Sequence, residues 1–306
     1  MNITASMVKE LRESTGAGMM DCKKALAEAE GNMDRAVDIL REKGLSQAAK
    51  KASRIAAEGL IGSSVSADGK SGSMAEINSE TDFVAKNEEF KLFVENVTKA
   101  VTAHKPASLE ELLTVDCEGG KSVQDVLTEK IAKIGENMTV RRFVHLEVEK
   151  GRIAGYVHGA GKIAVLVKLE ADSESDRLTE LGKDVAMQVA AMSPKYISRE
   201  DVDQEYIDHE REILVQQALN EPKPKPEEII RKMVEGRLQK QLREVCLLEQ
   251  AFVKDSDKAV KDVIAEVEKE IGASIKVAAV ERFEVGEGLE KKSEDFASEV
   301  AKQLGN

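Results

Sequence analysis

The residues best placed to do chemistry lie in one short run, Asn78-Ser79-Glu80-Thr81-Asp82-Phe83-Val84-Ala85-Lys86, which sets a carboxylate beside a large apolar ring. Upstream, Met74, Ala75 and Ile77 read as the end of a strand. Downstream, Phe90, Phe93, Val94, Val97 and Val101 recur at spacings of three and four, the period of an amphipathic helix. Two readings suit such a strand-to-helix junction. In one, Thr81 caps the helix, Asp82 favours the positive end of its dipole and Phe83 packs into the core. In the other the run is a protruding wedge, in which Phe83 enters a partner's crevice and Asp82 brings a carboxylate to a charged site there.

Other chemistries fail on spacing. Gly161-Lys162 is followed by Ile163 and preceded at the required place by Tyr156, so it is not a phosphate-cradling loop. Gly16 with Gly18, and Gly286 with Gly288, lack the third glycine of a dinucleotide site. His104, His145, His158 and His209 form no H-E-x-x-H, and Cys22, Cys117 and Cys246 form no C-x-x-C. His158, on the Tyr156-Val157-His158-Gly159 hairpin, is either an ordinary exposed turn residue or a partner contact. Asp82 with a histidine makes an acid–base pair on paper, but no G-x-S-x-G accompanies it. The chain therefore reads as a non-enzyme that holds no metal, cofactor or nucleotide of its own.

The 306 residues carry a formal charge of −12 and only 3% aromatics with no Trp. That balance argues against a nucleic-acid partner, which needs basic surface and stacking rings, and favours a protein partner. The start, Met1-Asn2-Ile3-Thr4, has neither a basic nor an apolar run, and no stretch is long enough to span a bilayer, so a cytoplasmic protein is expected.

In chain order, Met7, Val8 and Leu11, then Ala25, Leu26 and Ala29, then Ala36, Val37, Ile39 and Leu40 predict three short helices, with Asn32 capping the third and Gly44 closing it. Met19 and Met20 are core under the plainer reading. Adjacent helical positions cannot face the same way, however, so at least one is free to serve as a soft contact surface.

The body reads as built twice. Without a gap, residues from 59 match residues from 151: Gly59/Gly151, Ile61/Ile153, Gly69/Gly161, Lys70/Lys162, Ile77/Leu169, Phe93/Val185 and Val97/Val189. Val123, Ile134 and Gly135 likewise match Val260, Ile271 and Gly272, each helix leading to a strand with a V-x-R-F run at Val140–Phe143 and Val280–Phe283. Two copies of hairpin, helix, helix and strand predict an α+β fold. An insertion at 198–243 predicts an antiparallel helical hairpin, with Val202, Tyr206, His209 and Ile213 facing Ile230, Val234, Arg237 and Gln241 across a turn at Pro222-Lys223-Pro224-Lys225-Pro226. Gly286-Glu287-Gly288 reads as a hinge before a last helix marked by Phe296, Val300 and Leu304. The expected units are 1–56, 57–143, 144–285 and 286–306. The same offset sets Phe83 opposite Ser175 and Asp82 opposite Glu174, so the second copy makes its junction without an aromatic. This favours the wedge.

Val8-Lys9-Glu10-Leu11-Arg12, Thr15 through Leu26, Thr81-Asp82-Phe83-Val84-Ala85-Lys86, Lys133-Ile134-Gly135-Glu136-Asn137, Met233-Val234-Glu235-Gly236-Arg237 and Arg282 through Gly288 together resemble the bacterial elongation factor Ts family, in the family's order. The resemblance implies a guanine-nucleotide exchange factor for elongation factor Tu. It implies a ubiquitin-associated-like (UBA-like) helical domain at 1–56, a two-part core, a coiled-coil arm and a C-terminal helix that reaches the partner. It implies that Thr81, Asp82, Phe83 and Val84 form the intruding site, with Phe83 between two helices of the partner's GTPase domain and Asp82 near its Mg²⁺ site. Arg12, Met19 and Met20 would then face a partner helix, and His158 would contact the partner from the core. The competing reading is a helical scaffold or holdase that works through its coiled-coil arm without promoting exchange; a metal-dependent hydrolase comes third.

Overall fold

The computed structural model describes residues 3–15, 17–220 and 226–290. Three helices open the chain: α1 (Ala5–Thr15), α2 (Met19–Glu28) and α3 (Met33–Lys51). They close over Val8, Leu11, Cys22, Leu26 and Ile39, and the Asn32 side chain accepts the Arg35 N–H as the α3 cap. Gly44 does not end α3, which continues to Lys51. There α3 passes Thr128 and Ala132 further along the chain, at a distance where even an added Cβ would make only ordinary contact. Val37, expected in the core, is partly exposed.

The body is α+β and twofold in plan. The first half contains β1 (Glu58–Val65), β2 (Ser71–Ser79), α4 (Asp82–Ala85), α5 (Glu88–His104), α6 (Leu109–Thr114), β3 (Asp116–Glu118), β4 (Lys121–Ser122), α7 (Val123–Ile134) and β5 (Met138–Glu147). The second contains β6 (Gly151–His158), β7 (Ile163–Glu170), α8 (Asp176–Met192), α9 (Gln204–Leu219), α10 (Glu227–Val245), β8 (Ala251–Phe252), β9 (Asp255–Ala259), α11 (Val260–Ile271) and β10 (Lys276–Glu284). The sheets have matching antiparallel orders, β1-β2-β5 and β6-β7-β10. The expected boundary after Phe143 falls inside β5, which stays paired with β2 to Glu147.

Register refines the internal match. Ile77 pairs with Val140 and Leu169 with Val277, and both ladders shift at the next step. The last strands therefore correspond at an offset of 137, the same as α7 and α11. Phe143 answers to Val280, and the two V-x-R-F runs are not equivalent positions. Gly135 and Gly272 end their helices in the left-handed region, φ 89° and 67°.

The halves meet through paired contacts related by the same offsets. The Ile61 N–H donates to Gly161 O at 2.8 Å and the Ile153 N–H to Gly69 O at 2.7 Å. Lys70 Nζ donates to Gly151 O at 3.0 Å, and Lys162 Nζ to Gly59 O at 3.3 Å. Val148 and Val285 donate to Lys70 O and Lys162 O, both at 2.9 Å. Between the sheets, Ile61, Met74, Ile153, Leu166 and Phe283 form a shared core.

The inserted arms pair in antiparallel sense, with Arg211 near Glu235 and Arg199 near Glu249. Their seam is more apolar than expected. Leu214 and Ala218 are buried in place of His209 and Ile213, and Leu238 and Leu242 in place of Arg237 and Gln241. A step of four keeps Ile230, Val234, Leu238 and Leu242 on one stripe. Apart from Pro226, the proline turn lies outside the described residues, as does the expected helix through Phe296, Val300 and Leu304.

The Gly286–Gly288 segment is a tied turn rather than a free hinge. Glu76, wholly buried, accepts the Gly286 N–H at 2.9 Å together with Arg141 Nη1, Arg142 Nε and Asn78 Nδ2. Burial pushes this carboxyl up, but the donors outweigh it and hold the group below the usual carboxylate range. Glu287 extends the tie through Arg142 and Arg282.

Gly59 and Gly151 sit at φ 135° and 125°, where an added Cβ would collide with the carbonyl oxygens of Ile77 and Leu169. Gly59→Ala and Gly151→Ala should each cost about 2 kcal/mol or more. A lower urea midpoint with an unchanged slope would show this. A midpoint equal to that of the parent protein would mean that neither position needs glycine.

Candidate functional site

The Asp82–Phe83 junction is where the twofold plan breaks. The strands correspond at an offset of 92, but the helices α5 and α8 correspond at 88: Asn87 and Ser175 both cap from the side chain, and Lys105 and Ser193 both end in the left-handed region. Buried Phe90, Phe93, Val97 and Val101 answer to buried Leu178, Leu181, Val185 and Val189. The gapless pairing of Phe93 with Val185 is therefore one helical turn out, an error that a 3.6-residue period conceals because the stripe nearly repeats after four residues. The first half carries four extra residues between strand and helix, and α4 is four residues long. Phe83 has no counterpart at Ser175. It lies on a segment the other half lacks.

Within that segment Val84 and Ala85 are buried against the first-half core, while Phe83 is 78% exposed. The reading that packs Phe83 inside does not hold. Neither does side-chain capping by Thr81: its hydroxyl makes no cap bond and instead donates to Glu136 Oε1 at 2.7 Å, while its N–H donates to Glu136 Oε2 at 3.0 Å. Ser79 Oγ donates to Thr81 O at 3.1 Å. The far end is closed by Lys86 N–H to Phe83 O and Asn87 N–H to Val84 O, at 3.1 and 2.9 Å. Lys86 Nζ lies 5.5 Å from the centre of the Phe83 ring, within cation–π range, and 2.6 Å from Asp82 Oδ2.

The remaining predicted residues divide. Val84 is only 6% exposed, so in the free chain it anchors the segment rather than projecting from it. Met19 and Met20, at the first turn of α2, are both exposed, at 59% and 62%, so neither is core. Arg12 is exposed on the rim of a cleft between the three-helix unit and α7, which Arg41 and Asp125 bridge at 2.5 Å. His158 is exposed on the β6–β7 turn, its Nδ1 3.1 Å from Tyr156 Oη, beside a groove lined by Leu60, Val94, Val157 and Gly161. Lys162 on the same turn pairs with Glu58 at 2.6 Å. Among the described residues no group of three or more His, Cys, Asp or Glu is placed to hold a metal, and no helix is long and apolar enough to cross a membrane. The sequence places Lys86 and Glu136 inside its motifs but assigns neither a role. Lys86 had a signal, the four-residue spacing from Asp82. The contact of Glu136 with Thr81, far away in sequence, had none.

The family model described as "Elongation factor TS" matches residues 80–287. The chain is 60% identical over 303 residues to elongation factor Ts of Clostridioides difficile, with 99% of each chain covered. It is 55% identical to that of Clostridium perfringens strain SM101, again with 99% of each covered. Against Clostridium acetobutylicum the identity is 54%, covering 99% of this chain and 98% of the relative.

The charge on Asp82 depends first on the Lys86 hydrogen bond, which holds its carboxyl below the usual range. With the folded pKa depressed, the pair adds stability above the ordinary carboxylate pKa and loses it as pH falls through the folded value. In Lys86→Ala the Asp82 titration, followed by carboxyl NMR, should move up toward the ordinary carboxylate range. A midpoint that stays put would show that Lys86 does not set this charge.

Proposed function

The chain belongs to the elongation factor Ts family, and from that premise we propose that it is a guanine-nucleotide exchange factor, a cytoplasmic protein that binds elongation factor Tu·GDP and promotes GDP release during translation elongation. The observation that carries this reading is the exposed Phe83 ring on a short helix whose next two side chains are buried. Leaving such a ring in water forgoes roughly 1.5–3 kcal/mol of burial, which docking into an apolar crevice recovers. Its stem is braced by Val84 and Ala85, so little ordering cost remains to be met on binding.

In this reading Phe83 enters between two helices of the partner's GTPase domain, and Asp82 brings an ionised carboxylate toward the partner's Mg²⁺ site. Arg12, Met19 and Met20 meet a partner helix from the UBA-like unit, and His158 adds a contact from the core. The α9–α10 arm is a coiled coil. No bond is made or broken in this chain. The work is coupling: by whatever ratio the factor weakens the partner's hold on GDP, GDP weakens the partner's hold on the factor.

Phe83→Ala should keep its melting temperature and far-ultraviolet spectrum while slowing release of a fluorescent GDP from elongation factor Tu about thirtyfold, the loss of one central anchor. A well-folded variant that releases GDP at the parent rate rules the wedge out.

A further inference from the structure

We propose that Glu136 is a positioning residue for the Asp82–Phe83 segment, holding it in the docking conformation before any partner arrives. The inference rests on the exchange reading above. Both carboxylate oxygens of Glu136 are engaged at Thr81, one by the N–H at 3.0 Å and one by the hydroxyl at 2.7 Å. Thr81 immediately precedes α4 in extended conformation, φ −126° and ψ 156°, so its backbone sets the direction in which the short helix leaves β2. A two-point grip on this residue fixes the base of the wedge.

Glu136 is itself held. It follows Gly135, which stops α7 in the left-handed region, and precedes Asn137, which is 3% exposed. The Asn137 N–H donates to Glu80 Oε1 at 2.6 Å, and its side-chain Nδ2 donates to Arg54 O at 2.7 Å. Carboxylates thus cross in both directions, from 80 to 137 and from 136 to 81. Hydrogen bonds to a charged acceptor are stronger than neutral ones, and two on one residue add orientation.

The second half supplies an internal control. At the offset of 137 that relates α7–β5 to α11–β10, Ala273 stands where Glu136 stands, and Ser274 where Asn137 stands. That half also lacks the four extra residues. The carboxylate accompanies the inserted segment and is absent where the segment is absent, so the shared scaffold does not require it.

The test uses the full-length protein. In Glu136→Ala, amide hydrogen exchange at residues 81–86 should quicken about five- to thirtyfold while α5 keeps its protection, and GDP release from elongation factor Tu should slow by a similar factor. Glu136→Gln keeps an oxygen for the Thr81 N–H and should recover most of the rate. In a Phe83→Ala background Glu136→Ala should add no further loss, because its effect passes through the ring. Thr81→Val deletes only the hydroxyl contact and should give a smaller change in the same direction, which keeps the test open if Glu136→Ala misfolds. Unchanged exchange at 81–86, or an equal loss of activity with and without Phe83, overturns the proposal. If Phe83→Ala alone proves silent the wedge reading falls instead, and the amide data still decide whether Glu136 holds the segment.

Discussion

Everything in the body depends on the reciprocal seam between its two hairpins. Ile61 reaches Gly161 through its main chain, and Ile153 reaches Gly69 in the same way. Main-chain groups buried between two sheets must be satisfied, and neither hairpin satisfies all of its own at this edge. Each half therefore completes the other. The shared apolar layer of Ile61, Met74, Ile153, Leu166 and Phe283 forms because these bonds bring the sheets together, and it belongs to neither half alone.

Against that repeated frame the departures are few, and each adds something. The four-residue α4 places a ring in solvent with its neighbours in the core. The α9–α10 arm occupies the stretch between α8 and β8, where the first half has only the short α6 between α5 and β3. The carboxylate grip at Thr81 and the buried Glu76 hub likewise occur in the first half, where the second has Ala273 and Lys168 at the matching positions. A duplicated scaffold can keep its packing in one copy while the other is free to diverge: the first half diverges around Phe83, the second in its α9–α10 arm.

The Glu76 hub has a second consequence. Taking a carboxylate wholly out of water is costly unless donors surround it, and here two guanidinium groups, an amide and a main-chain N–H do so. One of those donors belongs to Gly286, far along the chain, so the turn after β10 is locked to the sheet that carries the candidate site. The same sheet passes through Asn78 and Ser79 into Thr81, which joins the wedge to the most buried charge in the first half.

Much of the plan was legible along the chain because its signals are local. Helical periodicity, the Asn32 cap, the glycine stops at 135 and 272 and the two Gly-Lys turns depend on neighbouring residues only. The exceptional character of Phe83 could also be read, by comparing one half with the other. Tertiary structure decided the rest. A slip of four residues in a helix changes the apolar stripe too little to be seen, so only capping and burial showed that α4 is an insertion. The α9–α10 seam was misjudged because an exposed face and a packed one, both partly polar, look alike until a partner helix chooses between them. The role of Glu136 was invisible because it lies 55 positions from Thr81 and meets it only after β2 and β5 have paired. Composition and period act along the chain, whereas a grip between distant residues exists only once the backbone has folded to bring them together.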